Sequence, residues 1–371
     1  MYLLGHGVGA TAQGTRKRIM VGGNEIRTVD IHAHCVFEEV APLITGTTMN
    51  RNFPDWYVLG DFRLGPMDER GIDVAALTVN AYWWYEADRD LASQIVRIHD
   101  EGLAEWCQRH PDRFVAMTSP ALQFPDLAAE QVEYAVKDLG MRGVSVGGTV
   151  LGEPNSLSKY DVFWSKVEEL DVPVFMHPDN ATQILRHGGL PARGNQGNII
   201  GNPLETTFFL SNLIFDGVFD RFPGLTVCGA HGGGYLPSYL GRTEVACERG
   251  NANCINTRQP SEYMREQIMA DTMVFSAEGL RHLVAEMGAS QIVYGSDQPF
   301  PWPDTMDLVV NADFLSDAEK VAILGGNLRA TAWPNRSGYA PRLRRSWRRW
   351  ATRSRWPRPR SWPWCGAART G

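Results

Sequence analysis

The chain has 371 residues, of which 43 % are hydrophobic and 21 % charged, a composition that excludes collagen-like and wholly disordered sequences. The formal net charge is −6. The segment 335–371 holds eleven arginines and no acid, which leaves 25 basic against 42 acidic residues elsewhere, a net charge of −17. An acidic body does not favour polyanions, so we expect no nucleic acid as its partner. No apolar run is long enough to predict a membrane span.

Short apolar runs rich in β-branched residues recur along the chain. Runs of this kind predict strands that are buried on both faces, as in a parallel sheet. The predicted strands cover residues 26–31, 74–79, 114–118, 143–146, 172–176, 225–230, 272–275 and 291–294.

Helical periodicity occupies most of the gaps between these runs. It predicts helices over 90–110, 126–139, 160–170, 205–219, 234–249 and 277–287. Eight strands alternating with helices predict an α/β protein with a (β/α)8 TIM barrel. A doubly wound sheet is the alternative, although the glycine-rich turn that normally follows its first strand is missing.

Two further segments complete the predicted domain, which covers residues 1–334. A small hairpin is expected around Gly22–Gly23, at the end of an N-terminal extension over 1–25, and a long insert over 36–66 follows strand one. The Arg/Trp-rich tail 335–371 is expected to be a disordered extension without a catalytic role. Binding of the tail to nucleic acid or an anionic membrane surface is the alternative.

The distribution of cysteines along the sequence predicts the cellular compartment of the protein. They are scattered and form no C-x-x-C pair, which favours reduced thiols in a cytoplasmic protein over a disulfide framework or a zinc knuckle. They lie at positions 35, 107, 228, 247, 254 and 365.

Polar motifs follow four of the predicted strands. His32 and His34 end strand one, His177 follows strand five, His231 follows strand six and Asp297 follows strand eight. The carboxyl ends of barrel strands meet at one face, so we expect these side chains to lie together. Residues two apart in a strand point the same way, which turns both His32 and His34 towards the barrel axis.

The donor types predict a metal centre. Three imidazoles, from His32, His34 and His177, and the carboxylate of Asp297 form a ligand set that suits Zn²⁺, with Mn²⁺ or Fe²⁺ possible. His231 is then a fourth imidazole beside the metal. It is expected to be a general acid or base, with a role as ligand as the alternative.

This ordered set of motifs resembles the amidohydrolase superfamily, and within it the branch of 2-amino-3-carboxymuconate 6-semialdehyde decarboxylase and the nonoxidative aromatic-acid decarboxylases. The resemblance runs from Thr28 to Asn327 and includes the segments MDERGID, HPDRF, GNPLETT, DGVFDRFPGLTVCGAHGGGYLP and YGSDQPFPW. It implies one divalent ion, usually zinc, held by the residues that match His32, His34, His177 and Asp297. Binuclear members carry a bridging lysine after strand four, where this chain reads RGVSVGGTV, so a mononuclear site follows.

The resemblance also implies substrate-binding residues. Arg242 has the spacing of an arginine that reaches the site of a neighbouring subunit, which implies a homodimer or higher homo-oligomer. Arg51 is the candidate for a second substrate arginine, whereas Arg63 is expected to be structural. Further candidates for the wall of a pocket follow strands two, five and eight, and they are Trp83, Trp84, Asp179, Asn180, Phe300 and Trp302.

The leading functional hypothesis is nonoxidative decarboxylation of a small carboxylic acid, either a hydroxy- or amino-substituted aromatic acid or a muconate semialdehyde. His231 or Asp297 delivers a proton to the carbon that loses CO₂. The alternative is metal-dependent hydrolysis or hydration of a ring-cleavage product, a lactone or an amide, because the same ligands serve both chemistries. A binding protein on a decayed barrel is a third hypothesis.

Overall fold

Eight short parallel strands form the centre of the computed structural model, which describes residues 16–51, 53–80, 82–185, 190, 193–250 and 252–328. In chain order, β1 to β8 are Val29–His34, Val74–Thr78, Phe114–Ala116, Val144–Val146, Val174–Met176, Val227–Gly229, Ile268–Asp271 and Ile292–Val293.

The strands close into a barrel. Strands β1 to β3 pair in one parallel sheet and β4 to β8 in another. A parallel bridge from Thr118 to Val144 joins β3 to β4, and a bridge from Ala33 to Gln298 joins the end of β1 to the segment after β8. The N–H of Ile31 also donates to the carbonyl oxygen of Tyr294 at 3.0 Å. The predicted (β/α)8 barrel is therefore confirmed, and the doubly wound alternative is wrong.

Helices connect and cover the strands. The six predicted helices begin and end close to their predicted positions, since the apolar stripe that predicted each helix is the face it packs on the barrel. Four shorter helices, Leu64–Arg70, Pro260–Glu266, Met306–Val310 and Asp317–Val321, were not predicted. Helices α1 to α10 are Leu64–Arg70, Arg89–Arg109, Pro125–Lys137, Asp161–Leu170, Asn202–Phe215, Leu236–Glu248, Pro260–Glu266, Ala277–Met287, Met306–Val310 and Asp317–Val321. Single helical turns at Ala41–Ile44, Val218–Arg221 and Ala230–Gly233 are too short for a label.

Alternation along the strands separates two cores. Phe175 and Met269 belong to a buried apolar cluster inside the barrel, whereas their chain neighbours Met176 and Ala270 pack outward under the helices. The residues two positions further on, His177 and Asp271, therefore point inward, above the interior cluster. An apolar floor thus lies beneath the mouth of the barrel.

Strand seven was predicted at the wrong place. The sequence predicted a strand over 272–275, but β7 is Ile268–Asp271 and the chain turns at Thr272. Ile268–Asp271 is fully buried although it ends in an acid. The acid interrupts the apolar run by which buried strands are predicted. The shift moves Asp271 to the functional end of the barrel.

The remaining sequence predictions have mixed outcomes. The predicted hairpin is confirmed as an antiparallel pair, Met20–Val21 with Asn24–Glu25, and a second short pair joins Thr149–Val150 to Glu153–Pro154. The expectation of unpaired cysteines is wrong for two of them, because a disulfide joins Cys247 to Cys254.

The helices described include none that is long and apolar enough to cross a membrane. The predicted tail 335–371 lies outside the described residues, so its nature and the domain boundary at 334 stay predictions.

Candidate active site

Four buried side chains meet at the mouth of the barrel. His32, His34, His177 and Asp297 each offer one nitrogen or oxygen ligand atom, and these atoms all lie within 4.8 Å of one another. The Nε2 atoms of His32 and His34 are 3.0 Å apart, and Oδ1 of Asp297 lies 2.6 Å from Nε2 of His34. The structure thus brings together the four residues that the sequence predicted as ligands.

The electrostatics of the group formed by the four candidate ligands favour the binding of a cation. Burial lowers the pKa of His32, but Asp297 and Asp271 on either side of the ring outweigh that effect and raise it to about 10. Burial raises the pKa of Asp297, yet His32 and His34 hold it well below its usual range. Three imidazoles and a carboxylate that converge on a point attractive to positive charge fit a divalent ion in place of the proton.

Asp271 is a site residue that the sequence prediction missed. Its Oδ2 accepts a hydrogen bond from Nδ1 of His32 at 2.7 Å, and its Oδ1 accepts from the N–H of Gly232 at 2.9 Å. The first contact fixes the tautomer and plane of His32, so that Nε2 faces the other ligands. A correct end for strand seven would have identified Asp271, because it is the last residue of β7.

Replacing Asp271 with asparagine is expected to weaken metal binding by about 10- to 100-fold. The amide donates to Nδ1 of His32 and moves the ring proton to Nε2, where it blocks the ligand position. Competition with a chelator measures the affinity. Asp220→Asn is the matched control, since Asp220 accepts comparable hydrogen bonds from Thr257 and Tyr263 away from the site. Equal metal affinity in both variants would contradict the orienting role.

Further buried groups hold the first ligand strand in place. The carboxylate of Asp30 accepts from the N–H of His32 at 2.9 Å and from the N–H of Ser296 at 3.0 Å, which ties β1 to the loop that carries Asp297. Arg63 donates to the carbonyl oxygens of His34 and Tyr57. The expected structural role of Arg63 is therefore confirmed.

His231 lies beside the ligand group in a left-handed turn. Its ring centroid is 5.3 Å from that of His32 and 5.2 Å from that of His177, and its φ is +55°. The turn continues through Gly234 at φ +68°, where a Cβ would lie 2.3 Å from the carbonyl oxygen of Pro203. Only glycine fits this path, which brings His231 to the site before α6 begins.

The proton chemistry of His231 follows from its surroundings. Burial, and then the proximity of His32, lower the pKa of His231 to about 4. Its Nδ1 is buried and has no hydrogen-bond partner among the described residues, and the same holds for Nδ1 of His177. A buried imidazole nitrogen without a partner next to the ligand group is available to a substrate or to a bound ion.

A cleft opens on the side of Tyr82, whose ring contacts Tyr57, and Tyr57 in turn contacts His34; the four candidate ligands and His231 are not among its lining residues. Arg51, Tyr82, Trp84 and Asp179 are among its lining residues, and the guanidinium of Arg51 lies 5.3 Å from the centroid of the Tyr82 ring. The structure therefore places four of the predicted pocket residues in one cleft, namely Arg51, Trp83, Trp84 and Asp179.

The other predicted substrate-binding residues lie elsewhere. Phe300 contacts the ligand group directly, with its ring edge-on to His34 at 5.2 Å. The ring centroid of Trp302 lies 5.6 Å from that of Phe275, and Trp302 does not line the cleft. Arg242 is exposed on α6 and does not line the cleft of its own chain. Tyr57, which the prediction missed, donates to the carbonyl oxygen of Asn80 and lies 3.1 Å from Nδ1 of His34.

Comparison with known proteins identifies the family to which the chain belongs. The family model described as Amidohydrolase matches residues 29–330, and the chain therefore belongs to the amidohydrolase family. It is 32 % identical over 284 residues to the gamma-resorcylate decarboxylase of Rhizobium radiobacter, covering 72 % of this chain and 85 % of the relative.

Two further relatives support the same branch. The 2-amino-3-carboxymuconate-6-semialdehyde decarboxylase of Dictyostelium discoideum is 29 % identical over 273 residues, covering 72 % of this chain and 74 % of the relative. The crystal structure of a dihydroxybenzoic acid decarboxylase from Polaromonas sp. JS666, with bound manganese and the inhibitor 2-nitroresorcinol, matches with a TM-score of 0.70 and 26 % identity, covering 82 % of this chain and 96 % of that one. The predicted relationship to the metal-dependent decarboxylases of this family is therefore confirmed.

Proposed function

We propose that the protein catalyses the nonoxidative decarboxylation of a small carboxylic acid, either a hydroxy- or amino-substituted aromatic acid or a muconate semialdehyde. One divalent ion, zinc or manganese, binds His32, His34, His177 and Asp297. The observation that carries the proposal is the buried Nδ1 of His231, which has no hydrogen-bond partner among the described residues and lies beside this ligand group, above an apolar floor. Decarboxylation needs this combination of a cation for the acid and a separate proton donor.

Different residues have different roles in the proposed decarboxylation. When bound, the divalent ion supplies an electron-withdrawing centre for oxygen atoms of the substrate. His231 is neutral at rest, because burial and the nearby His32 lower its pKa to about 4, and it takes up one proton from solvent as the substrate binds. The bond between the carboxylate and the carbon that carries it breaks, CO₂ leaves, and the electron pair left on that carbon takes the proton from His231. Phe300, edge-on to His34, and the apolar floor limit the access of water to that carbon.

A substrate screen tests the proposal. The metal-loaded protein is incubated with 2-hydroxybenzoates, 2-aminobenzoates and a muconate semialdehyde, and released CO₂ and product mass are measured, with chelator-treated protein as the control. We expect CO₂ from at least one acid, and only from the loaded protein. A product that gains water without release of CO₂ favours the hydratase or hydrolase alternative. A pure protein that contains no metal and takes up none favours the binding-protein hypothesis.

Arg242 belongs to the proposal through a second copy of the chain. It lies on α6 between two exposed apolar side chains three residues away on either side, Tyr239 at 59 % and Val245 at 44 % exposure. An arginine framed by exposed apolar groups on one helix face is typical of a protein interface. We propose a homodimer or higher homo-oligomer in which Arg242 binds the carboxylate of the acid in the neighbouring site.

Arg242→Ala is expected to lower kcat/KM by about 10- to 100-fold, because a charged hydrogen bond to the substrate is lost. Hybrid oligomers made by co-expressing Arg242→Ala with His231→Asn should regain activity, since each hybrid pair contains one site with both residues intact. Arg249→Ala, at the end of the same helix, is the control and should leave activity unchanged. Hybrids as inactive as their parents would contradict a shared site.

A further inference from the structure

The segment GNPLETT, one of the motifs behind the family resemblance, forms hydrogen bonds with a neighbouring loop and not with the candidate metal ligands. Asn202 and Glu205 lie in the first turn of α5 and are both buried, Glu205 at 4 % exposure. Their side chains do not contact the four candidate ligands. They accept hydrogen bonds from the backbone of the turn that follows His177.

Glu205 and Asn202 together satisfy three consecutive N–H groups of that turn. Oε2 of Glu205 accepts from Asp179 at 2.9 Å and from Ala181 at 2.8 Å, and Oδ1 of Asn202 accepts from Asn180 at 2.7 Å. Oε1 of Glu205 accepts from Gly148, after β4, at 3.2 Å. One buried carboxylate thus fixes two neighbouring loops of the barrel mouth to each other.

The turn adopts an unfavourable backbone conformation. Asn180 and Ala181 have φ values of +58° and +57°, in the left-handed region that non-glycine residues avoid. Helix α5 packs closely against the turn, because a Cβ on Gly201 would lie 2.4 Å from the carbonyl oxygen of Asn180. A Cβ on Gly148 would likewise lie 2.4 Å from Cγ of Glu205. The surroundings therefore hold the turn in a conformation that the chain does not prefer.

The result of this conformation is the placement of Asp179. Its side chain lines the cleft with Arg51, Tyr82 and Trp84, two residues beyond the candidate ligand His177. The contact with Nδ2 of Asn180, at 3.3 Å, is long. An ionised carboxylate only accepts hydrogen bonds, and a ring that fills the cleft removes water from it. Arg51 lines the same cleft and is a charged neighbour of this carboxylate. A hydrogen-bond donor on the substrate adds a further partner, whereas a substrate without one leaves the carboxylate with Arg51 and the long contact to Asn180.

We propose that Asp179 determines substrate specificity by accepting a hydrogen bond from a hydroxyl or amino substituent of the ring, remote from the carboxylate that is lost, and that Asn202 and Glu205 are positioning residues for Asp179. The inference rests on the proposed function. It narrows the substrate class to acids that carry a hydrogen-bond donor in addition to the group beside the carboxylate. Such a site discriminates strongly against analogues that lack the donor.

Matched pairs of substrates test the inference. The pairs are 2-hydroxybenzoates with a hydroxyl, an amino or a methyl group at ring position 4 or 5. At one of these positions we expect a preference for the donor over methyl of about tenfold or more in kcat/KM. Asp179→Ala should abolish the preference, because it lowers kcat/KM for the hydroxyl and amino compounds more than for the methyl compound. Glu130→Gln is the control, because this exposed acid lies on α3, outside the cleft, and should leave the preference intact.

Variants of the positioning residues separate their role from folding. Glu205→Gln and Gly148→Ala should raise KM for the donor substrates and reduce the preference, whereas metal content stays unchanged. A preference that survives in Asp179→Ala, or equal turnover of both members of every pair, overturns the inference and leaves decarboxylation standing. If no acid loses CO₂, the proposed function fails instead. Calorimetric binding of the same pairs to wild type and Asp179→Ala then decides the role of Asp179 alone.

Discussion

Replacing His231 with asparagine is expected to lower kcat by about a hundred- to ten-thousand-fold, the usual contribution of a positioned acid or base. Asparagine keeps a polar side chain of similar length but has no proton to deliver to the carbon that loses CO₂. The positive φ of +55° at this position is also tolerated by asparagine better than by most residues. Stopped assays of CO₂ release measure kcat at saturating substrate.

Metal content distinguishes a proton donor from a ligand in this variant. His231 is outside the group of four residues whose ligand atoms converge, so His231→Asn should retain its metal. His282→Asn is the control, because that histidine is exposed and contacts Ser238 on the outside of the barrel. Loss of the metal together with activity would assign His231 to the ligands instead, which is the alternative that the sequence left open.

Most of the barrel was predictable from local pattern. Helix α8 begins and ends where its periodicity predicts, at Ala277 and Met287, because a helix that packs on a sheet needs one apolar stripe. Strand β2 is nearly a continuous apolar run and was predicted within one residue. Strand β7 failed because its inward positions end in Asp271, an acid that belongs to the site. The rule that apolar runs mark buried strands breaks down where the barrel carries its chemistry.

The ligands were predictable, whereas the groups that orient them were not. His32, His34, His177 and Asp297 follow strand ends, and a closed barrel brings all strand ends to one face. Tyr57 comes from the insert after β1, where no periodicity fixes the path of the chain. Glu205 lies 28 residues after His177 in sequence, and only the left-handed turn at Asn180 brings its carboxylate to that loop. Contacts of this kind depend on tertiary packing.

The negative charge of the chain suggests that the metal centre also contributes to substrate binding. The body of the protein has a net charge of −17, yet the proposed substrate is an anion. The mean field of the protein therefore opposes substrate entry, and local cations must overcome it. Arg51 in the cleft is one such cation, and the divalent ion and the proposed Arg242 of a second copy are others. Removal of the metal should therefore weaken substrate binding as well as turnover.

Replacing Asp297 with asparagine is expected to weaken metal binding by at least about 100-fold, which exceeds the effect of the orienting residue Asp271. Asp297 is the only acid in the ligand group, and its Oδ1 lies 2.6 Å from Nε2 of His34 and 3.1 Å from Nε2 of His32. Asp304→Asn, in the same loop, is the control. Excess metal separates the two roles of Asp297: full recovery of kcat in Asp297→Asn makes it a ligand alone, and a deficit at saturating metal assigns it a share of the proton transfer with His231.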